Sequence, residues 1–91
     1  MINVFDTEYN LLENYRDSFD FEEFNSKMTE DFLDFDYIIG DYAYSKLRLK
    51  GFYDEKNKKV KPYNNFKEKD YYIKNNCAYD CKYFILKKLW G

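Results

Sequence analysis

The 91-residue chain contains no histidine. The commonest general base and metal ligand is therefore missing, which counts against an enzyme. Glycine occurs at 40, 51 and 91 alone, never in the clustered pattern that cradles nucleotide phosphates ahead of a helix. Two cysteines, Cys77 and Cys81, cannot complete a tetrahedral zinc site by themselves. Their spacing is not that of a redox pair, and they are expected as small apolar fillers. No apolar run is long enough to cross a bilayer, and the opening "MINVFDTEYN" has neither the basic end nor the apolar centre of a signal peptide. These absences predict a cytoplasmic protein that is not an enzyme. They also predict no cofactor, no bound metal, no membrane and no small-molecule substrate. A magnesium site from Asp34, Asp36 and Asp41 would need three segments to converge, so these are read as solvated surface acids.

What the chain has is aromatic side chains and charge. Eleven Tyr, nine Phe and one Trp predict a folded domain, because disordered segments are poor in aromatics. Lys, Asn, Tyr, Phe, Ile and Asp are plentiful while Ala, Pro and Arg are scarce, the bias of an A+T-rich genome, so part of the Lys and Tyr content reflects codon drift. The net charge of −2 conceals a split. Residues 1–45 carry twelve acidic and two basic side chains, a balance of −10, and residues 46–91 carry thirteen basic and five acidic, a balance of +8. A split of this kind serves partner binding, self-association or neutralisation within one molecule.

Periodicity supplies the elements. "INVF" and "EYNLLEN" predict two short strands around a turn at Asp6-Thr7. Asp20 stands three before Glu23 at capping-box spacing, and Phe21, Phe24, Met28, Phe32 and Phe35 recur every three or four residues. A helix over Phe21 to Leu33 follows. "FDYIIGDYAY" reads as a strand in which Gly40 marks a bulge or a close backbone approach. After a turn, "KLRLKGFY" reads as another. "VKPY" predicts a short edge strand, because Pro62 cannot donate to a ladder. Asn64 or Asn65 caps a second helix, "FKEKDYYIKNN", with Phe66, Asp70 and Ile73 at helical spacing. "CKYFILKKLW", apolar on both faces, suits a central strand. The expected fold is a single α+β domain over residues 1–91, a mostly antiparallel sheet with two helices packed on one face.

Three stretches, "ENYRDSF" (Glu13 to Phe19), "DYIIGDYAYSKLRLKGFYDEKNKK" (Asp36 to Lys59) and "CAYDCKYFILKK" (Cys77 to Lys88), resemble the YutD-like family of small proteins from Firmicutes and mollicutes. The central stretch carries the most specific match, and the match is weakest between Val60 and Asn76. The resemblance implies a bacterial, cytoplasmic protein. It brings no activity and no site residues.

The candidate site therefore rests on the residues. Alternation places Lys46, Arg48, Lys50 and Phe52 on one strand face, with Tyr53 following and Lys58 and Lys59 in the adjoining turn. Such cations can hold phosphates, and an exposed ring can take a base by stacking. Arg48 draws attention because Arg16 is the sole other arginine in a lysine-rich chain. "KGFY" also begins like an RNA-recognition signature, then departs from it at Asp54-Glu55. The bland alternative buries Phe52 under a helix and leaves the lysines to solvate a sheet edge. The leading expectation is a module for RNA or DNA of low sequence specificity, in which Arg48→Ala with Lys50→Ala removes binding without unfolding. The alternative is a protein-interaction or homodimerising module, pairing the acidic Glu22, Glu30, Asp31 and Asp34 face with a basic surface. Tyr42, Tyr44, Tyr53, Tyr63, Tyr71, Tyr72 and Tyr79 are more than a small core can bury with satisfied hydroxyls, so several are expected at an interface.

Overall fold

A two-residue turn begins the architecture. Strand β1 (Ile2–Val4) returns as β2 (Thr7–Tyr15) through Phe5 and Asp6, both at positive φ (50° and 57°). Left-handed conformations at both positions make the type I′ turn whose twist matches a hairpin. The turn thus lies one residue earlier than expected, and Thr7 already belongs to the strand. The structure, a computed structural model, describes residues 2–43, 45–76 and 82–90, for Asn76 and Trp90 the backbone alone. Cys77, Cys81, Tyr44 and Tyr79 lie outside the described residues.

Five strands form one antiparallel sheet in the order β1-β2-β5-β3-β4, with β3 at Tyr37–Ala43, β4 at Lys46–Phe52 and β5 at Tyr83–Trp90. The apolar run "YFIL" takes the middle of the sheet, and its Phe84, Ile85 and Leu86 are fully buried. A strand buried on both faces needs apolar residues at consecutive positions, which is why this segment does not alternate.

Successive side chains point to opposite faces. On one face Tyr9, Ile38, Leu47, Phe84 and Leu86 pack with Phe24 of helix α1 (Phe21–Lys27) and with Met28, which caps its C-terminal end. On the other, Tyr37, Ile39, Phe52 and Ile85 pack with Phe66, Tyr72 and Ile73, the last two from helix α2 (Lys69–Asn76). The α+β class is as expected from the sequence. The helices, however, lie on opposite faces of the sheet rather than sharing one.

Helix α1 is also shorter than its pattern predicted. Asp20 caps it, its side chain accepting from the Glu23 amide, but it stops at Lys27 and a 3-10 turn follows at Glu30–Asp34. A continuous helix would carry Glu30 and Asp31 into its last turns, where the partial negative charge of the helix end repels them. Restarting at Thr29 puts both acids in a first turn instead. The break also lets Phe35 reach Gly51, where a Cβ would lie 2.1 Å from the Phe35 ring.

Gly40 is a close approach and not a bulge. It sits opposite Phe84 on β5, and a Cβ there would lie 2.2 Å from Phe84 Cζ. The expected strand at "VKPY" is absent: Pro62–Asn64 forms a 3-10 turn, with Pro62 in its first turn where no amide donor is needed. The bordering Asn64–Phe66 backbone instead holds Tyr53 through two hydrogen bonds, Tyr53 N to Asn64 O at 2.7 Å and Phe66 N to Tyr53 O at 2.9 Å. Asn65 caps the next turn, its side chain accepting from the Lys67 amide at 3.0 Å.

Candidate binding groove

The cationic row of β4 lies on the α2 face. Its cross-strand partners on β3 are Ala43 for Lys46, Asp41 for Arg48, Ile39 for Lys50 and Tyr37 for Phe52. Burial separates the four. Phe52 is 1% exposed, lying edge-on to Tyr72 (5.2 Å between centroids) and Phe66 (6.5 Å). It is a core residue, too covered for a base to stack on its ring. Tyr53, 7% exposed, points to the opposite side of the sheet and packs on Phe35. The pair named as a stacking surface is therefore inside the protein, because α2 covers one ring and the Glu30–Asp34 turn covers the other.

The cations divide as well. Arg48 grips Asp41 with two hydrogen bonds of 3.1 Å, to Oδ1 from Nε and to Oδ2 from Nη2. Lys59 Nζ lies 2.7 Å from Asp34 Oδ1, and the same carboxylate accepts from the Tyr53 hydroxyl. The Lys59 and Tyr53 contacts hold the Asp34 carboxyl below its usual range, while Asp34 raises the Tyr53 hydroxyl to about 12. Lys46 and Lys58 are exposed. Lys50 rests over the Phe52 ring at 5.5 Å and the Tyr72 ring at 5.9 Å. So the two charge-biased halves neutralise each other in part within one chain, through Asp34 with Lys59 and Asp41 with Arg48.

From the Lys50 end of the row opens a groove of about 980 Å³. Lys50, Phe52 and Tyr72 line it from the sheet and α2, Val60 to Tyr63 and Asn65 from the loop, and Glu68 and Tyr71 from the second helical segment. Burial, then the Asp41 charge, pushes the Tyr72 hydroxyl up to about 12, so it stays protonated in the physiological range. Two tyrosines of this lining stand out in solvent, Tyr63 at 71% and Tyr71 at 69% exposure. By sequence both are surplus tyrosines with no assigned site. A signal was present: Phe66, Lys69, Tyr72 and Ile73 turn inward at helical spacing, which throws Tyr71 and Asp70 out. Tyr63 follows the proline that starts a turn, so no strand pairing holds it down.

Among the described residues no group of three or more Cys, Asp or Glu is placed to hold a metal ion, and no helix is long and apolar enough to cross a membrane. The geometry offers a concave aromatic surface with two cations and one acid, suited to holding a ligand.

The chain is thus a small α+β domain with a helix on each face of an antiparallel sheet and an open aromatic groove at one sheet edge. The family model YutD-like, described as "Putative antitoxin YutD-like", matches residues 3–87. A Bacillus subtilis (strain 168) protein, "Putative antitoxin YutD", is 37% identical over 89 residues, 98% of each chain. The solution NMR structure of protein yutD from B. subtilis superposes with a TM-score of 0.82 at 37% identity, covering 98% of this chain and 81% of that one. The chain belongs to the YutD-like family.

Proposed function

We propose that the protein works by binding rather than by catalysis, in the cytoplasm, and that its counterpart is a protein whose action it restrains, as the relatives' word antitoxin describes. One observation carries this reading. The chain's exposed acids Glu22, Glu30 and Asp31 have no ion pair among the described residues, and Phe21 stands 45% exposed on the same segment. Arg48 and Lys59, by contrast, are drawn into pairs with Asp41 and Asp34. Exposed acids and an exposed aromatic on one stretch of chain fit a basic partner protein, since complementary charge steers encounter and aromatics buried on binding supply affinity. A second copy of the chain is the variant of this reading that size measurements address.

The test is genetic and biochemical together. Tagged protein is used to capture partners in its host, alongside a Phe21→Ala, Glu22→Lys, Glu30→Lys variant. A partner held by the first and lost by the second is then deleted. Depletion of the protein should slow growth in the parent strain and not in the deletion strain. Equal harm in both strains would end the reading.

A second reading keeps the nucleic acid expected from the sequence and moves the contact. With Phe52 and Tyr53 buried and Arg48 and Lys59 engaged, the contact would be the groove, where Lys50 and Lys61 flank exposed Tyr63 and Tyr71. Lys46 and Lys58 lie outside its lining.

A further inference from the structure

We infer that the groove between β4 and α2 takes unpaired nucleotides of a single-stranded nucleic acid, with bases stacked on Tyr63 and Tyr71 and the intervening phosphates held by Lys50 and Lys61. The inference rests on the nucleic-acid reading of the groove and specifies its ligand. Two large rings at 71% and 69% exposure are a standing cost in water, and base stacking on such rings is favourable whatever the base. Lys50 stays beside the lining because its ammonium rests on the Phe52 and Tyr72 rings, 5.5 and 5.9 Å from their centroids. Its charge is thereby presented beside the aromatic surface rather than in open solvent. Lys61 adds a second cation, and Glu68 is the one acid in the lining. The lining therefore carries a net positive charge, complementary to a phosphodiester.

The shape selects the strand. At about 980 Å³ the groove sits at the upper end of the roughly 300–1,000 Å³ typical of ligand pockets, with room for more than one base. Bases can lie against these rings only when splayed out of a duplex. Among the described residues no helix is presented for major-groove reading, since α1 and α2 have seven and eight residues and pack their apolar sides on the sheet. Stacking with phosphate neutralisation reads no sequence, so the preference is for strandedness.

The experiment is fluorescence anisotropy of labelled mixed-sequence single-stranded RNA, single-stranded DNA and the matching duplexes against full-length protein. It is repeated for Tyr63→Ala, Tyr71→Ala and Lys61→Ala. All three side chains are exposed, so the fold is spared, and circular dichroism checks this. Single strands should bind more tightly than duplexes, each tyrosine variant should bind about 5- to 150-fold more weakly, and Lys61→Ala should reduce the salt slope by about 0.7. A 2′-hydroxyl contact would appear as RNA over DNA. Binding in which duplexes match single strands overturns this inference and leaves the nucleic-acid reading standing, while binding in which both tyrosine variants behave as the parent overturns both. No binding of any strand at low salt overturns both.

Discussion

Asp41 and Arg48 face each other across β3 and β4, and the carboxylate is 1% exposed while the guanidinium side chain is 47% exposed. Arg48 therefore spends its fork on a buried internal charge, with the Tyr72 hydroxyl also 3.5 Å from Asp41 Oδ2. This changes what an alanine at 48 tests. Removing one partner of a buried pair costs about 3–5 kcal/mol when both are inside. With Arg48 half in solvent, Arg48→Ala should cost less, about 1–3 kcal/mol for leaving Asp41 underpaired, and Arg48→Lys less again. Urea denaturation measures it. The Arg48→Ala, Lys50→Ala variant would thus lose stability before it reported on any ligand.

The sheet was legible because its signals are local. Phe84, Ile85 and Leu86 at consecutive positions suited a strand covered on both sides, and Asp20 with Glu23 marked a helix start. What was not legible depended on contacts between distant segments. Nothing in "KLRLKGFY" says that α2 will lie over Phe52. Nor does it say that Asp41 sits opposite Arg48, since register is a property of two strands. The phenylalanine spacing through Phe35 was real, yet Phe32 lies in a separate 3-10 turn that Phe35 caps, and the restart at Thr29 keeps Glu30 and Asp31 in a first turn. Tyr63 and Tyr71 looked like ordinary members of a tyrosine-rich chain, and exposure alone distinguishes them.

Gly40→Ala should be among the most damaging small substitutions. The new methyl would lie 2.2 Å from Phe84 Cζ and 2.6 Å from both neighbouring ring carbons, and Phe84 is fully buried against Phe19 and Phe24. The ring has no free direction to move, so a cost at or above about 3 kcal/mol, the upper end for overpacking, is expected. Gly51→Ala meets Phe35, which is half-buried and can yield. The thermal midpoint should fall further for Gly40→Ala than for Gly51→Ala, and the reverse order would mean that the β5 ring is loosely held.

The lysine-rich turn after β4 is pinned by carboxylates. Asp36 Oδ2 accepts from the Asp54 amide at 2.8 Å and from Asn57 Nδ2 at 3.0 Å, while Asp34 holds Lys59 and Tyr53. The Asp34 pKa is lowered in the folded state, so its contribution is complete above the ordinary value of 3.8 and disappears as pH falls through the lowered one. The pair is exposed, and the global effect is correspondingly small. Hydrogen exchange, compared with the intrinsic amide rate at each pH, should show protection at Lys56 to Lys59 falling on acidification through that range. Asp34→Asn should already show lower protection there at neutral pH, and its protection should change less with acid.

Tyr9 is fully buried, and its hydroxyl has no hydrogen-bond partner among the described residues. A buried hydroxyl left unpaired costs about 1–3 kcal/mol relative to its solvated state, and phenylalanine fills the same space without that penalty. Tyr9→Phe should therefore stabilise the protein by about 1 kcal/mol at neutral pH. Burial also raises the Tyr9 pKa from 10.0 to about 12. A raised folded-state value means that the unfolded chain ionises first. The parent keeps its full stability below pH 10 and loses it as pH climbs toward 12. Phenylalanine has no proton to lose, so the advantage of the variant should widen by about 1 kcal/mol near pH 11. Urea midpoints at neutral and alkaline pH measure both parts. A variant that is less stable at neutral pH would mean that the hydroxyl has a partner, such as a bound water, while a constant gap across pH would mean that Tyr9 ionises as readily folded as unfolded.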